Sequence, residues 1–190
     1  MELPITVLLG IMFLKETLSS VQIFLVAMVL AGIFLLAVKS FSAKTLKGGI
    51  EKGVLIGLAG AVGMGFLNFF TASASITISP LMAIWFPWAV VSAVSIFYLW
   101  RKNKLSDLAA NAMKFKGLVF GMGVFDTLAW LFFALAVVGS GLSITIAISE
   151  SYTAIAVLLG VLLNKETISK LQWLGAGLAL AASFTLALVS

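Results

Sequence analysis

Two carboxylates stand where the surrounding residues are almost wholly apolar. Asp126 interrupts the run GVFDTLAWLFFALAVVG at 123–139, and Glu150 follows the run LSITIAIS at 142–149. No Lys or Arg shares either run. An acid held deep in an apolar phase costs at least ~2.5 kcal/mol, so each must face either neighbouring helices or water. Two kinds of chemistry follow. A protonated acid can donate a structural hydrogen bond to a backbone or hydroxyl oxygen, or the site can take up a proton or pair with the cationic group of a bound solute. Two such acids close together suit proton coupling. Around them, Ser143, Ala147, Glu150, Ala154 and Val157 form a small, partly polar stripe at helical spacing, and Asp126 shares a face with Gly123 and Trp130. A third stripe, Ala61, Gly65, Asn68, Ala72 and Ser75, adds Asn68 as a cavity residue, with an interhelical hydrogen bond an equal account of it. Tyr152, two residues past Glu150, can offer a hydroxyl to a solute.

The elements that position these groups follow from composition. Of the 190 residues 62% are hydrophobic and 10% charged, and there is no His and no Cys. The mean hydropathy is +1.20. This is the composition of a polytopic integral membrane protein. Spanning about 30 Å of hydrocarbon takes ~20 helical residues, and unpaired backbone is not tolerated there, so the spans are helices. The expected fold is all-α, with about seven segments at 3–14, 21–38, 53–72, 80–100, 117–138, 142–163 and 171–189. Ser79-Pro80 reads as a helix start and Pro87 as a kink inside the fourth span. A tight turn is expected at Gly139-Ser140-Gly141. Met1-Glu2-Leu3-Pro4 lacks the basic start of a signal peptide.

Charge orients the chain. Of the 12 Lys and Arg residues, four, five and two lie in 39–52, 101–116 and 164–170, and Lys15 alone lies on the other side. The positive-inside rule makes those three loops cytoplasmic and, with seven crossings, puts the C-terminus outside. The formal charge of +5 is accounted for by topology and by attraction to anionic lipid headgroups, with no nucleic-acid partner. Trp100 and Trp173 sit at span ends as interfacial anchors, while Trp85, Trp88 and Trp130 lie deeper, facing either a pocket or lipid. Gly53-x-x-x-Gly57 and Gly117-x-x-x-Gly121 suggest close helix packing.

A duplication dominates the sequence. VLLGIMFLKETLSSVQ at 7–22 repeats as VLLGVLLNKETISKLQ at 157–172, an offset of 150. It keeps Gly10/Gly160, Lys15/Lys165, Glu16/Glu166, Thr17/Thr167, Ser19/Ser169 and Gln22/Gln172 in register. An odd number of spans between the copies inverts one relative to the other, the arrangement of secondary transporters whose halves rock about a midplane site. Glu16 and Glu166, at loop depth beside Lys15 and Lys165, read as helix-end pairing or capping residues.

These motifs resemble the EamA-type drug/metabolite transporters. The resemblance rests on Gly160, Glu166, Ser169, Gln172, Gly175 and Leu178 in the second copy and Pro4, Gly10, Glu16, Ser19 and Gln22 in the first. It implies two inverted five-helix halves and export or exchange of a small organic metabolite or drug, driven by an ion or solute gradient. The expected organisation is 1–38 as the last two helices of an incomplete first copy, 39–52 as a basic loop and 53–190 as a complete second copy. At 12 residues, or ~18 Å, the segment 3–14 is too short to span. The expectation is therefore an N-terminally truncated chain, completed by missing helices or by an oligomeric partner. Ala154 stands where the first copy has Pro4, which alters the expected kink.

The reading is a secondary transporter working by alternating access, with Asp126 and Glu150 for proton coupling or cation recognition and Asn68, Trp130 and Tyr152 in the cavity wall. Its partners are membrane lipids, a small solute and protons; no cofactor and no metal is expected. The other reading is a non-transporting helix-bundle subunit or an inactive remnant. Lacking His, Cys and a nucleophile elbow, the chain is not read as an enzyme. A retinal protein needs a Lys in its last helix, and 171–189 has none.

Overall fold

The structure, a computed structural model, describes residues 2–37 and 52–190, with side chains from 56 onward in the second stretch. The basic loop expected at 39–52 lies outside the described residues except for its last position. Nine helices are described: α1 (Leu3–Phe13), α2 (Ser20–Ala37), α3 (Lys52–Thr77), α4 (Pro80–Arg101), α5 (Leu105–Lys114), α6 (Lys116–Ser140), α7 (Leu142–Glu150), α8 (Tyr152–Asn164) and α9 (Lys170–Leu188). Six helical runs are long and apolar enough to cross a membrane, and α7 with α8 makes one of them, Leu142–Asn164. The seventh expected segment is α1, an apolar helix of 11 residues. The chain is thus an all-helical, polytopic membrane protein.

The described residues fall into two compact units. One contains α1, α2, α3 as far as Phe70, and α7, α8 and α9; the other runs from Thr71 to Gly139. In the first unit α2 and α9 run antiparallel. The Gln22 side-chain N–H, at the start of α2, donates to the Val189 carbonyl at 3.3 Å, just past the end of α9. In the opposite sense, the Gln172 side-chain N–H at the start of α9 donates to the Leu36 carbonyl at 3.1 Å. The duplicated glutamines therefore clasp each other's helix, and the inversion expected from the sequence is present in the packing. Close approach needs glycine here. A Cβ on Gly32 would sit 2.7 Å from the Ala179 nitrogen, and one on Gly175 would sit 2.7 Å from the Gly32 carbonyl oxygen.

Each of α2 and α9 begins with the same reciprocal cap. The Gln22 N–H donates to Ser19 Oγ at 3.3 Å while the Ser19 N–H donates to Gln22 Oε1 at 2.9 Å. Ser169 and Gln172 repeat it at 3.2 and 2.9 Å. Two orphan donors of each helix start are satisfied in this way.

In the second unit, Pro87 lies inside α4, which is assigned without interruption from Pro80 to Arg101. Ser79 is extended ahead of it and makes no side-chain cap. The stretch 101–116, expected as a loop, contains α5. Leu105, Leu108, Ala109 and Ala112 lie along one face of α5 and Ser106, Asp107, Asn111 and Lys114 elsewhere, the pattern of a helix lying in the interface plane. The glycine pairs correct one expectation: a Cβ on Gly57, Gly117 or Gly121 meets nothing within 4 Å among the described residues. Close packing falls instead on Gly32, Gly65 and Gly175, where a neighbouring helix lies against the backbone.

Candidate functional site

The span Leu142–Asn164 is interrupted at a single residue, Ser151. α7 ends at Glu150, Ser151 adopts a helical backbone that closes a tight turn onto the Ile148 carbonyl at 3.1 Å, and α8 starts at Tyr152. The break comes three residues before Ala154, the position where a change of kink is expected, and it needs no proline. Thr153 Oγ1 donates to the Glu150 carbonyl at 2.9 Å, and Ser151 Oγ adds a second donor to the Ile148 carbonyl at 2.6 Å, so hydroxyls support the carbonyls around the interruption. The offset of 150 places the start of α8, at Tyr152, opposite Glu2, one residue ahead of the start of α1 at Leu3. Pro4 stands in the first turn of α1, where its missing N–H is not needed.

At this break the Glu150 side chain is buried, 6% exposed. Its carboxyl lies near that of Glu2, just ahead of α1. The Tyr152 phenol is within electrostatic reach of both carboxyls, and its ring is 61% exposed. Thr6, one turn along α1, is fully buried and donates its hydroxyl to the Glu2 carbonyl at 3.1 Å. The geometry is that of two acids and a phenol gathered at a helix break. Such an arrangement can hold a proton or a cationic group between the carboxyls, since like charges in contact repel. Glu2 was missed in the sequence because it precedes the first apolar run and looks like a polar terminus.

One further expected residue belongs to the first unit. Asn68 is buried, 3% exposed, on the inward stripe of α3 with Gly65, and its side-chain N–H has no partner among the described residues. Thr145 Oγ1 and Ser183 Oγ are likewise buried and unpartnered among the described residues. Buried groups in this state are available to a bound solute or water.

Asp126 and Trp130 lie in the second unit. Asp126 is exposed on α6, at one end of a shallow groove of about 490 Å³ lined by Gly117, Leu118, Gly121, Met122 and Phe125. Trp130 is half-buried, edge-on to Trp88 at 6.3 Å between ring centroids and to Phe133 at 5.8 Å. Among the described residues no group of three or more acidic side chains is arranged to hold a metal ion.

A membrane-length helix interrupted beside a buried carboxyl, packed against an antiparallel copy of its own motif, is a feature that inverted-repeat transporters also use. The sequence matches the EamA-like transporter family over residues 51–188, and the chain belongs to that family. No curated protein and no solved structure matches it.

Proposed function

We propose that the chain carries a small organic metabolite or drug across the membrane by alternating access, as an exporter or exchanger, and that it is not an enzyme. The observation that carries this reading is the buried Glu150 carboxyl near that of Glu2 at the α7/α8 break, with Tyr152 beside it. Glu150 binds either a proton or the cationic group of the solute, so that release of one accompanies uptake of the other. In the first unit Asn68 supplies a buried hydrogen-bond donor to the solute, and in the second Trp130 offers an apolar or cation-binding surface. Asp126 is the second acid of the cycle. The protein lies in the inner or plasma membrane in this reading, and the positive-inside rule supports 39–52, 101–116 and 164–170 on the cytoplasmic side.

The test is binding of a panel of amines, amino acids and neutral metabolites to the purified protein, read as thermal stabilisation. Stabilisation by a defined solute class, lost in Glu150→Gln, is the expected result. A folded protein that responds to none of them contradicts the reading and favours a non-transporting bundle subunit.

A further inference from the structure

We infer that α5 and the cations at its two ends form a docking surface for anionic phospholipid headgroups, with the apolar face of α5 set into the membrane surface. The inference is independent of the solute and of the transport cycle.

Connectivity holds α5 at the membrane boundary. Its neighbours α4 and α6 are both long and apolar enough to cross a membrane, and only 102–104 and Phe115 join them to it. Four Cα steps, from Arg101 to Leu105, reach at most ~14 Å, so α5 cannot leave the vicinity of the spans. The exit from α4 is a built turn. Asn103 is left-handed at φ 54, its N–H donates to the Trp100 carbonyl at 3.0 Å, and the Lys104 N–H donates to the Leu99 carbonyl at 2.9 Å. This pair of bonds is a Schellman motif, which satisfies the last carbonyls of α4 and ends it there. At the other end Phe115, at φ −112 and ψ 29, separates α5 from α6.

α5 itself has two faces. At about 100° per residue, Leu105, Leu108, Ala109, Ala112 and Met113 fall within an arc of about 140°, and Ser106, Asp107, Asn111 and Lys114 lie outside it. Leu105 and Ala112 are half-buried, whereas Leu108 and Met113 are exposed. The polar face is costly to bring into hydrocarbon and the apolar face gains by leaving water, and the boundary between the two satisfies both.

Charge selects the lipid. Within 101–116 stand five cations, Arg101, Lys102, Lys104, Lys114 and Lys116, against one acid, Asp107. All five are exposed, and they gather at the two ends of α5. Two of them pair with an aromatic ring: Lys102 Nζ lies 5.9 Å from the centre of the Tyr98 ring, and Lys114 Nζ 5.1 Å from that of Phe115. Rings and ammonium groups together suit the headgroup layer, where the ring meets the edge of the hydrocarbon and the cation meets phosphate. A zwitterionic surface offers this set no net charge, whereas each Lys or Arg near an anionic one strengthens attachment by about fivefold.

Because the chain has no Cys, Leu108→Cys and Asn111→Cys each place a single fluorophore on one face of α5 in the full chain. The labelled proteins are reconstituted in vesicles of phosphatidylcholine mixed with phosphatidylglycerol. Quenching by a trace of either lipid carrying an acyl-chain nitroxide then reads depth and lipid preference together. The label at 108 is expected to be quenched several-fold more than that at 111, and several-fold more by the phosphatidylglycerol probe than by the phosphatidylcholine one. Gln at Lys102, Lys104, Lys114 and Lys116 together should bring the two probes to parity. So should about 1 M salt, which shortens the screening length to ~3 Å and leaves the cations in place. Equal quenching at 108 and 111 overturns the inference, as does a phosphatidylglycerol preference that is absent or that survives both the Gln variant and salt. Protection of the label at 108 that is already present in detergent and lost on dilution also overturns it, and assigns the face to a second copy.

Discussion

The carboxylate of Glu16 takes three donors from the first turn of α7, two of them from Ser143, 127 residues further along the chain. At the other end of the same antiparallel pair, Glu2 of α1 meets Glu150 of α7. α1 thus meets α7 at both ends.

Replacing Glu16 by Ala leaves the Leu142 and Ser143 donors without a partner in a half-buried place. The expected cost is about 1–3 kcal/mol, read as a lower midpoint in thermal or denaturant unfolding. Glu166→Ala, whose carboxylate is exposed and has one weak partner, is expected to cost much less.

Gly32 and Gly175 lie against backbone atoms of the opposite helix, which cannot give way as a side chain can. Gly175→Ala should cost about 1–3 kcal/mol through overpacking. Gly177→Ala, with nothing within 4 Å, should be neutral or raise stability by up to about 1 kcal/mol through helix propensity. Unfolding curves of the two variants side by side check the contrast.

Gln172 serves two roles, closing the cap with Ser169 and donating to the Leu36 carbonyl across the interface. Gln172→Leu keeps the bulk and removes both, for an expected loss of about 1–2 kcal/mol. Gln22→Leu should behave similarly, and the double variant should lose about the sum if the two clasps act independently.

Much of this architecture is legible in the sequence, because the features that set it are local or periodic. Hydropathy gives the spans, and the Lys-Glu-Thr and Ser-x-x-Gln motifs in register at 15–22 and 165–172 give the duplication and its caps. Capping by Glu16 is legible, but its partner is not, since nothing local at Leu142 says which loop will reach it. The interruption at Ser151 is illegible for a related reason: no Pro or Gly marks it, and the hydroxyl-to-carbonyl bonds that accompany it come from Ser and Thr residues common in any apolar helix. Helix α5 hides among basic residues that read as loop. Glu2 gains its meaning only through the packing that brings it to Glu150.

Tyr152 shares the electrostatic surroundings of both acids while its ring stays exposed. Tyr152→Phe should therefore weaken binding of a hydrogen-bonding solute by about tenfold and leave unfolding unchanged, as checked by titrating solute against both proteins.

Glu150 is proposed to couple solute to protons or to recognise the charge of the solute. The most direct test is transport by the protein in sealed liposomes, with internal pH followed while a binding solute is added, comparing the unmodified chain with Glu150→Gln and Asp126→Asn. Solute movement accompanied by proton movement or charge compensation, abolished in Glu150→Gln while the protein stays folded, is the predicted result. Transport that continues undiminished in Glu150→Gln would contradict the account.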